Sequence, residues 1–309
     1  MSPPPQPPTQ AEVNAALRGD PHRWIDVGHC EIACWSFGQG PALLFVHGWP
    51  LHAATWRAFV PRLADRFTCH LIDLPGIGKT RWSDATRFGI HAHADTVLAV
   101  IDALELTEYA LIAHDSGATI TRVAAARDPA GRARALVMGD TELPNHRLPM
   151  FEIGQKFARL PGSDWVMQKL FGSARVRRAE SVGLGGCFHD MEIAEGEFKS
   201  WFVDPLVADA RLMRGQMNFA RSVDWSFVDE LPEIHGQIKA PVLMIWGEED
   251  EVFPIQGARE MIGQFPGGAR LVALPQGRLF AHEEFTEAFV AHARPFLCEI
   301  FGWGDDHDA

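Results

Sequence analysis

From Ala42 onward the chain alternates short, wholly apolar runs with amphipathic stretches, and this alternation decides its fold class. Ala42–Val46, Phe67–Ile72, Tyr109–Ile112, Ala133–Met138, Val242–Trp246 and Leu271–Leu274 are apolar runs of strand length. Continuous runs of this kind are strands buried on both faces, as in parallel sheets. The stretches Ala94–Leu104, Thr119–Ala126, Ala258–Gln264 and Glu284–Ile300 carry the helical period between and after them. The pattern gives βαβ units and an α/β protein with a mostly parallel central sheet flanked by helices. Two earlier runs, Trp24–Val27 and Glu31–Phe37, alternate polar and apolar residues between glycines and read as an antiparallel hairpin.

The alternation stops near Asp140 and resumes only after Pro232. Residues 141–232 contain no buried β-run and are rich in Phe, Trp and Met, which predicts a helical insertion in a core made of residues 21–140 and 233–301. The Pro-rich start, MSPPPQPPTQ, predicts a disordered or loosely attached segment over residues 1–20. Residues 302–309 read as an acidic tail.

Charge and composition exclude several classes of partner. Forty acidic residues against 28 Lys and Arg leave a net charge of −12. Nucleic acids and anionic membrane surfaces call for a basic patch instead. No apolar run reaches the roughly 18–20 residues of a membrane-spanning helix, and the N-terminus has no apolar signal core. A cytoplasmic protein, monomer or homodimer, acting on a small molecule is expected. The five cysteines, Cys30, Cys34, Cys69, Cys187 and Cys298, are scattered and form no zinc-ligand pattern, so neither metal nor cofactor is expected. Tyr109 is the only tyrosine, so any chemistry that needs a phenol has one candidate.

Three loops leave the carboxyl ends of predicted strands, where open parallel sheets bind ligands. They are His47-Gly48-Trp49-Pro50, Ala113-His114-Asp115-Ser116-Gly117, and the segment Gly247–Pro254. The middle loop has the spacing of a sharp strand-to-helix turn, in which small residues flank an exposed central side chain. Centred on Asp115 the flanks are Ala113 and Gly117; centred on Ser116 one flank is His114, which is too large. Asp115 is therefore read as the exposed nucleophile, with simple N-capping of the following helix as the plainer reading.

With HGWP, DLPGIGKT (residues 73–80), AHDSG, WGEEDEVFP and LPQGRLFAHEE in place, the chain resembles the α/β-hydrolase superfamily over about residues 24–300. The likeness is to its Asp-nucleophile branch of haloalkane and haloacetate dehalogenases and epoxide hydrolases. The resemblance implies an α/β-hydrolase fold with a helical cap and an aspartate that forms an alkyl ester with substrate. It also implies a histidine that activates water to hydrolyse that ester. It places the oxyanion hole on the backbone amides of Trp49 and Ser116. DLPGIGKT ends like a phosphate-binding loop, but the glycine required five positions before Gly78 is Asp73, so nucleotide binding is not expected. The orienting acid is Asp250, favoured, or Asp140 or Glu142. A cis peptide before Pro50 is also expected.

The chain departs from the family at the base. Relatives carry Gly-His after the last strand, and here the pair is Gly277-Arg278. Arginine stays protonated near neutral pH and accepts no proton. The nearest imidazole is His282, four residues on, which is the expected base. His146 and His189 from the cap could serve, whereas His47 and His114 read as structural. Arg278 would draw in a carboxylate substrate, or pair with Asp115 or Asp250. The halide and carboxylate contacts of relatives fall here on Trp49, Ser116 and Thr119, and the cap has no tyrosine to protonate an epoxide oxygen. Trp165, Trp201 and Trp225 offer indole N–H donors to a halide, which favours carbon–halogen chemistry. Arg278, Trp165, Trp201 and His189 are thus the expected substrate contacts.

Overall fold

The computed structural model describes residues 6–181 and 183–303. Its strands are β1 (Arg23–Asp26), β2 (Cys30–Phe37), β3 (Ala42–Val46), β4 (Thr68–Ile72), β5 (Arg81–Trp82), β6 (Tyr109–His114), β7 (Ala133–Gly139), β8 (Val242–Gly247) and β9 (Ala269–Leu274). They form one sheet in the order β1-β2-β4-β3-β6-β7-β8-β9, with β5 beside β2. β2 runs antiparallel to β1, β4 and β5, and every neighbouring pair from β4 through β3 to β9 is parallel. Every residue of β3, β6 and β8 is buried, as the unbroken apolar runs require. The expected hairpin is present as β1 and β2. The two-residue β5 is too short to show any period in the sequence.

Helices Ile90–Ala103 and Ser116–Arg127 are crossovers that pack on each other, and the helix after the last strand, Thr286–Ile300, lies against β7, β8 and β9. Between β7 and β8 the chain makes only helices and turns, from Pro149–Ala158 to Phe227–Gln237. This insertion has a small apolar cluster of its own, Ala158, Leu206, Met213 and Met217. Elsewhere its aromatics join the main core; Phe188 and Phe198, for example, pack on Phe280. Polar contacts seat it on the loop after β3. Gln216 Nε2 donates to the Pro50 carbonyl (2.8 Å), His52 Nε2 to the Trp201 carbonyl (2.9 Å), and Arg57 pairs with Glu197 (2.9 Å).

The expectation of a loosely attached N-terminus is corrected over residues 10–18. Gln10–Arg18 is a helix, opened by a capping box in which Thr9 and Glu12 satisfy each other's backbone N–H groups. Val13 and Leu17 are buried, and Trp35 Nε1 donates to the Ala16 carbonyl at 3.1 Å. Proline content hid a short amphipathic helix whose Thr-x-x-Glu start is visible in the sequence. Residues 1–5 and 304–309, the rest of the predicted segment's start and most of the acidic tail, lie outside the described residues. Leu17→Ala is expected to lower unfolding free energy by about 2 kcal/mol or more, measured by urea denaturation; an unchanged midpoint would mean that the helix is not docked.

Candidate active site

The site is built at the end of β6, where the backbone turns within one residue. Asp115 has φ 52° and ψ −138°, a positive φ that costs a non-glycine residue free energy and persists only where surroundings impose it. The imposition is visible. Asp115 N donates to the Asp140 carbonyl (3.0 Å), and the Asp115 carbonyl accepts from Ala118 N (2.8 Å) and Thr141 Oγ1 (2.8 Å). Glycine on either side lets the next loop close in. A Cβ on Gly48 would lie 2.5 Å from Asp115 Cβ, and one on Gly117 would lie 2.4 Å from the His47 carbonyl oxygen.

This approach brings two backbone amides onto the Asp115 carboxylate. Trp49 N donates to Asp115 Oδ2 at 2.8 Å, Ser116 N donates to the same carboxylate, and Ser116 Oγ donates at 3.2 Å. The donors Trp49 N and Ser116 Oγ both meet Oδ2 rather than Oδ1. The peptide bond Trp49–Pro50 is cis, as expected. His47 ties this loop to the next. Its Nε2 accepts from Leu74 N (3.0 Å), while Asp73 accepts from Ala53 N and Lys79 N, both at 2.7 Å. The DLPGIGKT turn is thus organised around its own aspartate.

Burial, and next the nearby charge of Glu142, push the Asp115 carboxyl well above the usual carboxylate range, against the pull of its amide donors. Glu142 stands behind the turn, where Oε2 accepts from Thr119 Oγ1 (2.7 Å) and Thr141 Oγ1 (3.0 Å). Arg122, wholly buried, binds the same two threonines and the Glu142 carbonyl. Its Nη1 meets His235, and burial brings its guanidinium down to about 10. Glu142 therefore belongs to a network that braces the helix starting at Ser116.

The other two acids face each other. Asp140 Oδ1 accepts from Gly247 N (2.7 Å), Asp250 Oδ1 accepts from Val252 N (2.8 Å), and the two carboxyls hydrogen-bond together. Two carboxylates cannot make that bond without a proton. Burial first, then the charge of Asp250, holds Asp140 well above its usual range. Burial raises Asp250 to about 7 against its backbone donors and the bond from Asp140. The shared bond favours the proton on Asp140 and the charge on Asp250.

The expected base is elsewhere. His282 is wholly buried on a helical turn, Ala281–Glu284, with Nε2 2.7 Å from Thr55 Oγ1. Thr55 gives its own proton to Glu283 (2.6 Å), so His282 donates from Nε2. Its ring lies 3.9 Å from that of His114, whose Nε2 donates to the Leu279 carbonyl (2.6 Å). Burial, His114 and Arg57 hold the His282 imidazole well below its usual range. No hydrogen bond joins His282 to Asp115, Asp250 or Asp140. One turn of helix past Arg278 has carried the ring under the loop after β3.

The geometry agrees with what the chain is similar to. A family model described as the α/β-hydrolase fold matches residues 41–181. Haloalkane dehalogenase 2 of Mycobacterium bovis is 27% identical over 274 residues, 87% of this chain and 92% of that protein. Among solved structures, the epoxide hydrolase CorEH superimposes with a TM-score of 0.74 at 16% identity, covering 91% of this chain and 100% of that one. An esterase from Thermogutta terrifontis gives 0.67 at 20% identity, covering 90% and 97%. The chain has the α/β-hydrolase fold. Neighbours named for different reactions share its fold, so the fold leaves the reaction to be read from the residues.

In this fold the expected substrate contacts are mostly not at Asp115. Trp165 is 64% exposed and His189 is exposed. The Trp201 indole N–H is taken by Glu197 (3.3 Å), and Arg18 stacks on its ring at 3.9 Å. These three expectations are corrected: helical spacing in the insertion gave no register for which aromatics face inward. His146 Nε2 meets the Val252 carbonyl at 3.3 Å. Arg278 donates from Nη1 to the Gly185 carbonyl (3.1 Å), has a buried Nε without a partner, and forms no ion pair with Asp115 or Asp250. Tyr109 donates to Asp128 at the opposite end of β6. Sequence reasoning missed Cys187. Burial, and then the charges of Asp250 and Asp115, push its thiol up to about 12 while Arg278 pulls it down, so it lies among all three. Phe171, edge-on to Trp49 with ring centres 6.2 Å apart, was missed as well. Only the three-dimensional seating of the insertion marks either residue.

The raised Asp250 carboxyl has a definite sign in stability. A folded-state value above the unfolded one stabilises fully below about pH 4 and loses that contribution as pH rises through about 7. Urea unfolding from pH 5 to pH 8 is expected to show Asp250→Asn gaining on the wild type by up to about 1.4 kcal/mol per pH unit. A pH-independent difference would mean that no buried carboxyl titrates there.

Proposed function

We propose that this hydrolase cleaves a carbon–halogen bond in a small organohalide or haloacid through an alkyl ester on Asp115. The observation that carries the reading is the division of labour within one carboxylate. Oδ2 accepts from Trp49 N and Ser116 Oγ, the Ser116 amide also donates to the carboxylate, and Oδ1 is the oxygen assigned to attack. Oδ1 forms the carbon–oxygen bond as the halide leaves with the bonding electrons, a displacement that needs no proton donor. Water then adds to Asp115 Cγ, and the charge that develops on Oδ2 is met by donors already in place. Splitting one displacement into two in this way is covalent catalysis.

Two further features support carbon–halogen chemistry over epoxide opening. An epoxide oxygen needs a proton as its ring opens, and the one tyrosine is spent on Asp128 at the far end of β6. The similarity to a haloalkane dehalogenase spans most of both chains. Arg278, a cation without a carboxylate partner on the loop after β9, is assigned the carboxylate of a haloacid substrate. The helices of residues 141–232 act as the cap that excludes water from the displacement step.

Multiple turnovers in heavy-oxygen water are expected to place the label in the peptide that carries Asp115, detected by mass spectrometry. Asp115→Asn is expected to release no halide at early times. Halide release without label in Asp115 would remove the ester mechanism. Because Asp115 must be ionised to attack and its carboxyl is raised, halide release by the wild type is expected to fall on acidification at a higher pH than an exposed aspartate would give.

A further inference from the structure

The reading of Asp115 leaves the second half of the reaction without its usual base, and the inference drawn here rests on that reading. Hydrolysis of an alkyl ester on Asp115 needs a group that takes a proton from water as the water attacks. The imidazoles of His47, His114 and His282 are committed elsewhere. His47 is bonded through both ring nitrogens, to Leu74 N and the Gly48 carbonyl. His114 donates to Leu279 and His282 to Thr55, and both rings are wholly buried. The position that follows Gly277 holds a permanent cation.

Both positions at which relatives keep an acid are filled at once here, and neither acid has an imidazole to orient. Asp140 follows β7, next to the nucleophile strand; Asp250 follows β8. They bond to each other instead, and each has one carboxylate oxygen, Oδ2, that receives no protein donor. Asp140 is also the residue whose carbonyl holds the amide of Asp115, so the pair is joined directly to the turn it would serve. Glu251 bears on Asp250 directly, and Cys187 from the insertion feels the charges of Asp250, Asp115 and Arg278 together.

We propose that the Asp140–Asp250 pair, carrying one proton and one negative charge, is the base that activates water against the Asp115 ester. Water oxygen bonds to Asp115 Cγ while one of its protons passes to the pair, which becomes doubly protonated and neutral. The tetrahedral intermediate collapses, the bond from Cγ to the alkyl oxygen breaks, and the departing alkoxide takes a proton back from the pair. The pair returns to its starting state and Asp115 sheds its remaining proton to solvent. The sum is organohalide plus water giving alcohol, halide and one proton. Asp140 serves as the positioning residue that holds the shared proton, and Asp250 accepts the proton from water. The Asp250 carboxyl, near 7, is poised for that transfer at neutral pH.

The test follows the ester on the full-length protein by rapid-quench mass spectrometry, with 1-bromobutane and bromoacetate as probes. Asp250→Asn and Asp140→Asn keep size and a hydrogen bond between the two positions but remove the shared, titrating proton. Both are expected to form the Asp115 adduct within a few-fold of the wild-type rate and to clear it about 10²–10⁴-fold more slowly. Misfolding cannot produce that split. In the wild type, clearance is expected to rise with pH through about 7; in the variants that rise is absent. His282→Gln, which can still donate to Thr55, is expected to clear the adduct normally. Clearance at the wild-type rate in both aspartate variants, adduct accumulation in His282→Gln alone, or a wild-type adduct that never clears would each overturn the pair as base. No adduct in any protein, with either probe, would instead overturn the reading of Asp115, and the pair would fall with it.

Discussion

Everything in the site depends on holding a carboxylate at a backbone conformation that its residue type disfavours. Asp115 sits at positive φ because its amide, its carbonyl and its side chain are each bound by a different segment. These are the end of β7, the start of its own helix and the loop after β3. Two glycines, Gly48 and Gly117, allow that convergence, since a methyl group at either would overlap backbone or Asp115 itself. The strain is local and its support is spread over three strands. A parallel sheet brings the ends of those strands to one edge, which is why such a site can be assembled there at all.

The second constraint is electrical. Asp115, Asp140, Glu142 and Asp250 are all buried within a few strand widths. Arg122 is the fully buried cation that faces Glu142, while Arg278 is only partly buried and unpaired. Buried acids in this number resolve their repulsion by keeping protons or by spending their charge on hydrogen bonds. Both solutions are present: Glu142 binds two threonine hydroxyls, and Asp140 keeps a proton that Asp250 shares. Loss of an imidazole from such a site does not simply remove a base. It leaves two acids whose mutual contact is stable only with a proton between them.

The sheet was legible because burial on two faces writes itself into sequence as unbroken apolar runs; β3, β6 and β8 fall where those runs lie. The turn at Asp115 was legible for a steric reason, since His114 is too large to flank Ser116. The cis bond before Pro50 followed from the family likeness of its loop. What could not be read was side-chain direction beyond the strands. Four residues separate Arg278 from His282, and that distance is compatible with a ring on either side of the β9 loop until the Thr55 contact fixes it. In the insertion, Trp165 and Trp201 share a composition but not an environment, one in solvent and one beneath Arg18. The helix at Gln10–Arg18 was obscured by the prolines that precede it, although Thr9 and Glu12 announced it.

Tyr109 opens the strand that ends at Asp115, and its phenol is buried against Asp128. Burial, and next the charge of Asp128, push that phenol far above its ordinary range. A folded molecule therefore keeps its single phenol protonated in alkali that would ionise a free tyrosine. Tyrosinate absorbance in this protein consequently counts opened molecules alone, with ten tryptophans contributing nothing to the titration. The strand that leads to Asp115 thus contains, at its other end, a built-in optical reporter of its own unfolding.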